Sequence, residues 1–120
     1  MAMILLVEDS ASMRQMVSFT LKEVGHEVKE TVDGVEALEY AKNNDPVDLV
    51  ITDVNMPNMD GLTLTKELRA LESYQFLPIL VLTTETDAAK KQLGREAGAT
   101  GWIEKPFDPD KLLATINRVS

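Results

Sequence analysis

The sequence predicts an α/β domain: a doubly wound, five-stranded parallel sheet with helices on both faces. Three observations support this fold class. Five apolar runs, each too short for a helix, alternate with stretches whose apolar residues recur at three- and four-residue steps. This strict alternation predicts parallel strands joined by right-handed helical crossovers. The length of 120 residues allows one such core but not two ordinary domains, so we expect residues 1–120 to form a single domain.

The first unit begins with a strand at residues 4–7, an apolar run that ends at two acidic residues. Ser10 or Ser12 can cap the following helix, because a hydroxyl at this position accepts a hydrogen bond from a free backbone N–H. Apolar residues at helical spacing continue to Val24, and Gly25 is a typical helix stop.

The second and third units follow the same scheme. Residues 27–31 alternate in polarity, which is typical of a strand at the edge of a sheet. Asp33 and Gly34 indicate a turn before the second helix. Residues 49–53, Leu-Val-Ile-Thr-Asp, predict a buried third strand that ends in the carboxylate of Asp53.

In the last two units, the fourth strand is predicted at residues 79–82 and a short fifth strand at 102–103. The third helix should bury leucines at helical spacing, as far as Leu71. The predicted helix caps are Asp60 for the third helix, Thr86 or Asp87 for the fourth, and Asp108, followed by Pro109 at the first helical position, for the fifth.

Composition limits the possible functions. The chain is 44% hydrophobic and 27% charged, which is ordinary for a globular protein. Its net charge of −8 disfavours nucleic acids and anionic membranes, which bind basic surfaces. The absence of cysteine excludes disulfides, zinc–thiolate sites and a cysteine nucleophile. The apolar run at the N-terminus is too short for a signal peptide or a membrane span, so we expect a cytoplasmic protein.

Polar side chains lie at the ends of four of the predicted strands. Glu8 and Asp9 follow the first strand, Asp53 ends the third, Thr83 follows the fourth and Lys105 follows the fifth. Each alone has an ordinary explanation as a helix-end charge, a strand end or a surface group. The carboxyl ends of parallel strands meet at one edge, where open α/β sheets bind ligands. We therefore expect these groups to form one site.

Three clustered carboxylates need a counter-charge. Mg²⁺ suits them, because it binds one or two carboxylates together with water and phosphate oxygens. Asp9 and Asp53 are the expected direct ligands, Glu8 is expected to act through water, and the backbone carbonyl of Asn55 can supply one more oxygen.

A carboxylate in this setting is arranged for phosphoryl transfer. Asp53 can act as the nucleophile and form an aspartyl-phosphate. Mg²⁺ and Lys105 would neutralise the phosphoryl oxygens, and Thr83 could donate a hydrogen bond to one of them.

Four separated motifs agree in order and spacing with a known family. They are Glu8-Asp9, Asp53-Val-Asn-Met-Pro-Asn-Met-Asp-Gly61, Thr83-Thr84 and Lys105-Pro106-Phe107. Across essentially the whole chain, the sequence resembles the receiver domain of two-component response regulators, and especially the single-domain CheY-like chemotaxis regulators. The resemblance implies a flavodoxin-like sheet with strand order 2-1-3-4-5.

The resemblance also implies a role for each site residue. Asp53 is the expected phosphoacceptor, and Glu8 and Asp9 form the acidic metal pocket. Thr83 is the switch hydroxyl that moves toward the phosphate, and Lys105 is the counter-charge.

Three details accompany these roles. Thr84 competes with Thr83 for the switch role, although spacing from the strand favours Thr83. The peptide bond between Lys105 and Pro106 is expected to be cis. The second switch residue of the family is usually Tyr or Phe, whereas this chain has Trp102, which is larger and carries an N–H.

The function implied by the resemblance is a signalling switch. A histidine kinase donates a phosphoryl group to Asp53 with Mg²⁺, and the protein assists its own phosphorylation and dephosphorylation without being an ordinary enzyme. The modified protein, expected to be a monomer, then acts in chemotaxis by binding a downstream protein through the face of the fourth helix, fifth strand and fifth helix. A phosphatase is a further candidate partner.

Alternatives remain open from the sequence. The chain can be a stand-alone receiver in a phosphorelay, or the receiver of a transcriptional regulator. A Mg²⁺-dependent phosphatase would need a second aspartate two residues after Asp53, where this chain has Asn55. A flavodoxin-like cofactor binder would need a phosphate-binding loop after the first strand, where Glu8 and Asp9 would repel phosphate.

Overall fold

The computed structural model describes residues 2–83, 88–105 and 108–119. Within these ranges, five strands alternate with five α-helices, and one turn of 3-10 helix, Glu72–Tyr74, precedes the fourth strand. The strands are β1 (Met3–Val7), β2 (Glu27–Thr31), β3 (Leu49–Asp53), β4 (Ile79–Thr83) and β5 (Gly101–Glu104). The helices are α1 (Ala11–Glu23), α2 (Gly34–Asn43), α3 (Gly61–Arg69), α4 (Ala88–Ala97) and α5 (Pro109–Val119).

All strand pairs are parallel, and the order in the sheet is β2-β1-β3-β4-β5. The predicted fold class and strand order are therefore confirmed. The register places Val7 opposite Thr52 and Asp53 opposite Leu82. The ends of β1, β3 and β4 consequently lie side by side, and the acidic residues that follow β1 come next to Asp53.

Two apolar clusters hold the sheet between its helices. Side chains from α1 and α5 pack on one face, and side chains from α2 and α3 pack on the other. β3 is buried along its whole length and β1 along all but its first residue. Each buried leucine or isoleucine contributes about 1.5–3 kcal/mol. The central strands are thus fixed by the core, and so are the charged groups at their ends.

Several predicted helix ends are confirmed by side-chain caps. Ser10, rather than Ser12, caps α1 by accepting a hydrogen bond from the Met13 N–H. Asp60 caps α3, and Asp108 accepts a hydrogen bond from the Asp110 N–H at the start of α5. The alternative caps of α4, Thr86 and Asp87, lie outside the described residues.

Other local predictions need correction. Asp33 and Gly34, predicted as a turn, are the N-cap and the first residue of α2, because the Asp33 carboxylate accepts a hydrogen bond from the Glu36 N–H. α3 ends at Arg69, so Leu71 is not a helix residue. It lies just before the 3-10 turn and packs on the core from there.

None of the helices in the described ranges is long and apolar enough to cross a membrane.

Candidate functional site

A lysine and three carboxylates meet at the carboxyl edge of the sheet. Lys105 Nζ lies 2.9 Å from Glu8 Oε1 and 3.0 Å from Asp53 Oδ2. One carboxylate oxygen each from Glu8, Asp9 and Asp53 lies within 4.8 Å of the others. The residues that follow β1 and β5 therefore form one cluster with the last residue of β3, although Glu8 and Lys105 are 97 positions apart in the sequence.

Glu8 is fully buried, and both of its oxygens have partners. Oε1 accepts a hydrogen bond from Lys105, and Oε2 accepts one from the Ser10 N–H at 3.0 Å. Burial raises the pKa of Glu8, against the lowering effect of these two hydrogen bonds, and the nearby charge of Asp53 raises it further. Glu8 is thus engaged within the protein, which fits an indirect role near a metal better than direct ligation.

Lys105 remains a cation in this setting. Burial alone would lower its pKa, but the hydrogen bonds and charge attraction to Glu8 and Asp53 outweigh this effect and raise the pKa overall. The ammonium therefore keeps its charge across the physiological pH range. It holds two strand ends together and places positive charge beside Asp53.

Asp53 is fixed by its own backbone surroundings. Its Oδ1 accepts a hydrogen bond from the Val54 N–H at 2.8 Å, while Oδ2 faces Lys105. Its carbonyl oxygen lies so close to Gly61 that a Cβ at that position would overlap it. The Asp-Gly pair at the start of α3 therefore does more than begin a helix, because the glycine lets α3 approach the end of β3.

Asp9 is the exposed member of the acidic cluster. Its backbone is held by Arg14, whose Nη1 donates hydrogen bonds to the carbonyl oxygens of Glu8, at 2.7 Å, and Asp9, at 3.4 Å. Sequence reasoning missed this role. A basic residue in the first turns of an amphipathic helix has no pattern that separates it from an ordinary surface charge.

The residues present fit Mg²⁺. Three carboxylates and one ammonium leave two negative charges in excess, and the available donors are oxygens, which hard cations prefer. Asn55 lies two residues after Asp53, in the loop that follows β3. Asp9 and Asp53 can hold the ion directly, and Asn55 can add a backbone oxygen.

Part of the predicted site lies outside the described residues. The backbone of Thr83 ends β4, opposite Glu104, but its side chain is not among those described. The same holds for Thr84, for Phe107 and for Pro106 with its predicted cis peptide bond. The switch role of Thr83 therefore stays a prediction.

Trp102, in β5, is half-buried, and its indole packs against α4. The six-membered part of the indole faces Gly94, where an added Cβ would come within 2.8 Å of Cζ3. Lys91 Nζ lies 5.9 Å from the ring centroid and 3.5 Å from Glu104 Oε1. Among the described residues, the indole Nε1 is buried without a hydrogen-bond partner. The ring thus occupies space that exists because residue 94 is glycine.

Comparison with known proteins agrees with this geometry. The family model of the response regulator receiver domain matches residues 4–117. A "chemotaxis protein CheY homolog" of Campylobacter jejuni is 42% identical over 117 residues, which are 97% of this chain and 90% of that protein.

Solved structures give the same result. The chemotaxis response regulator CheY4 of Vibrio cholerae has a TM-score of 0.95 and 52% identity, covering 100% of this chain and 99% of that chain. The receiver domain of a sensor histidine kinase from Pseudomonas aeruginosa, solved with a magnesium ion in its active-site cleft, has a TM-score of 0.90 and 29% identity, covering 98% and 95%. The chain therefore belongs to the response regulator receiver domain family and is a two-component signalling protein of the chemotaxis type.

Proposed function

We propose that this receiver accepts a phosphoryl group from a histidine kinase on Asp53 and then changes its binding to a downstream protein of the chemotaxis system. The observation that carries the proposal is the position of Lys105, in contact with both Glu8 and Asp53 and beside a third carboxylate. A nucleophilic carboxylate with an adjacent fixed cation is what in-line phosphoryl transfer needs.

In the proposed transfer, an oxygen of the Asp53 carboxylate attacks the phosphorus of a phosphohistidine. The new P–O bond forms as the P–N bond breaks, and the imidazole leaves with the bonding electron pair and is protonated. Lys105 Nζ, 3.0 Å from Asp53 Oδ2, neutralises charge on a phosphoryl oxygen. The Thr83 hydroxyl donates a hydrogen bond to another phosphoryl oxygen.

The proposed metal ligands are the carboxylates of Asp9 and Asp53 and the backbone carbonyl of Asn55. When bound, Mg²⁺ supplies positive charge that neutralises the phosphoryl oxygens. Glu8 acts through a water molecule, in keeping with the engagement of both its oxygens by Lys105 and the Ser10 N–H.

The chain assists its own phosphorylation and dephosphorylation and does not turn over an external substrate. Loss of the phosphoryl group requires water to attack the Asp53 phosphate. The residue two positions on is Asn55, whose side chain cannot act as the general acid that a phosphatase of this type uses. Hydrolysis of the Asp53 phosphate is therefore slow, so the phosphorylated state is transient but is not lost as fast as in a phosphatase.

The proposed output passes through Thr83 and Trp102 to the face formed by α4, β5 and α5. Next to Trp102, this face has a groove of about 250 Å³ whose rim includes the cationic side chains of Lys91 and Arg95. A downstream protein binds there in the phosphorylated state, and a phosphatase is a second candidate partner. Such coupling requires contacts that differ between the two states.

The remaining parts of the proposal concern the whole chain. Residues 1–120 act as a single receiver domain, as a monomer and in the cytoplasm. The match of the family model to nearly the full length supports the single domain. The net charge of −8 supports the absence of nucleic acid and membrane partners.

Incubation with acetyl phosphate and Mg²⁺, followed by intact-mass measurement, tests the phosphoacceptor assignment. The wild-type protein should gain the mass of one phosphoryl group, and Asp53→Asn should not. Asp60→Asn is a matched control, because Asp60 is an exposed aspartate between β3 and α3. This variant should be modified like wild type. Equal modification of wild type and Asp53→Asn would contradict the proposal.

A further inference from the structure

The loop between β3 and α3 is tied to the start of α2 by two neighbouring contacts. Asn58 Nδ2 donates a hydrogen bond to Asp33 Oδ2 at 2.7 Å. The Gly34 N–H donates one to the Met59 carbonyl at 3.3 Å. The other Asp33 oxygen caps α2 by accepting the Glu36 N–H at 2.9 Å. We call the Asp33–Asn58 hydrogen bond the loop clamp.

The backbone at Asn58 would suit glycine, and the hydrogen bond of its side chain is what glycine could not make. Among the described residues, Asn58 is the one non-glycine residue with positive φ, at 68°. Glycine adopts this conformation without steric cost, whereas asparagine adopts it only moderately well. What asparagine adds is an amide, and this amide donates the hydrogen bond to Asp33.

Close packing at Gly34 shows that the loop lies directly on the helix start. A Cβ at position 34 would come within 2.7 Å of the Met59 carbonyl oxygen and within 2.8 Å of its Cβ and Cγ. Any other residue at 34 would push the loop away from α2.

The clamp holds one end of the loop, and the Met56 and Met59 side chains pack against the core cluster formed with α2 and α3. At its first end, the loop is fixed by the hydrogen bond from the Gly61 N–H to the Val54 carbonyl at 2.8 Å. Between these points, in the described part of the chain, the only hydrogen bond of residues 55–57 is the local one from the Met59 N–H to the Pro57 carbonyl, at 2.7 Å. Within the described residues, the backbone of Asn55 has no hydrogen bond of its own, so its position depends on the two ends of the loop and on the packing of Met56.

We propose that Asp33 and Asn58 are positioning residues for the metal-dependent phosphorylation site, because their hydrogen bond holds the backbone that presents the Asn55 carbonyl. The inference rests on the proposed function, in which that carbonyl is a Mg²⁺ ligand. Neither residue touches the reacting groups. Their effect should appear in Mg²⁺ affinity and not in the rate once Mg²⁺ is saturating.

Two substitutions remove the clamp without disturbing the local backbone. Asn58→Gly keeps the positive φ and removes the amide. Asp33→Ser keeps an N-cap side chain for α2 and removes the partner of Asn58. Asp60→Ser is the matched control, because Asp60 is also an aspartate N-cap in this region, bonded to the Thr63 N–H at 2.7 Å, and its replacement removes the same charge.

Mg²⁺ affinity is measured by isothermal titration calorimetry on each full-length variant, with circular dichroism to verify folding. Asp33→Ser and Asn58→Gly should each weaken Mg²⁺ binding about tenfold, as for other groups that orient metal ligands. The double variant should lose no more than either single variant, because both remove the same bond. Asp60→Ser should stay within about twofold of wild type, which measures the charge effect alone.

The phosphorylation rate with acetyl phosphate gives the second readout. At saturating Mg²⁺, both clamp variants should react at close to the wild-type rate. The positioning role would be overturned if both clamp variants bound Mg²⁺ with wild-type affinity. It would also be overturned if Asp33→Ser and Asp60→Ser lost affinity equally and Asn58→Gly lost none. Either result would leave the proposed function intact. A wild-type protein that neither binds Mg²⁺ nor is phosphorylated would instead overturn the proposed function.

Discussion

Replacing Lys105 by methionine should destabilise the metal-free protein by about 2–4 kcal/mol near neutral pH. The ammonium makes two short contacts, 2.9 Å to Glu8 and 3.0 Å to Asp53, and its side chain is only 14% exposed. Methionine keeps most of the apolar stem and removes the charge, so the loss comes chiefly from the two orphaned carboxylates.

The magnitude follows from the burial of Glu8. Removing one partner of a buried ion pair costs about 3–5 kcal/mol, since the other charge is left without compensation. Glu8 can relieve part of this cost by taking up a proton, because burial has already raised its pKa. The expected loss is therefore somewhat below that range, and it should become smaller as the pH is lowered.

Urea unfolding in the presence of EDTA, followed by circular dichroism, measures this loss. Lys22→Met is the control, because Lys22 pairs with Glu30 at 3.9 Å on the surface and such pairs contribute about 0–1 kcal/mol. Adding Glu8→Gln to Lys105→Met should recover part of the stability by removing the buried charge. Equal stability of Lys105→Met and Lys22→Met, or no recovery in the double variant, would refute this account of the site.

Three further substitutions test other parts of the structure. Arg69→Met should lower the free energy of unfolding, measured in urea, by about 2–4 kcal/mol. The Arg69 guanidinium donates to carbonyls of the α3–β4 segment and of the α4–β5 loop, and these acceptors would lose their partner. A loss below about 0.5 kcal/mol would contradict this. Burial raises the pKa of Tyr74, so its contribution to stability should be full below the ordinary tyrosine pKa of about 10. Stability should then fall as the pH rises from there through the raised value. Tyr74→Phe should flatten that alkaline decline, and an unchanged pH profile would contradict this role of Tyr74. Gly94→Val should displace the Trp102 indole and shift its fluorescence emission to longer wavelength, whereas an unshifted spectrum would contradict the packing of the ring against α4.

The main groups of the site could be predicted from the sequence because they follow strand ends. Once five short apolar runs are recognised as parallel strands, Glu8, Asp53 and Lys105 must lie at one edge of the sheet. The caps Ser10 and Asp60 could be predicted for a similar reason, since helix capping depends on local residue types.

Contacts that join separate loops could not be predicted in this way. The Asp33–Asn58 hydrogen bond spans 25 positions and requires a left-handed backbone at Asn58, which a Pro-Asn turn permits but does not demand. Arg14 reaches the carbonyls of the acidic pair from a helix face that looks like ordinary surface. Such contacts depend on where loops meet in space, which local patterns do not specify.

The central claim is that Asp53 is the residue that receives the phosphoryl group. Borohydride reduces an aspartyl-phosphate to homoserine, which tandem mass spectrometry can locate in the chain. After phosphorylation by a purified histidine kinase with Mg²⁺, reduction should convert residue 53 to homoserine, and omission of Mg²⁺ should abolish the conversion. Homoserine at another aspartate, or a phosphoryl group retained on a hydroxyl side chain after reduction, would contradict the account.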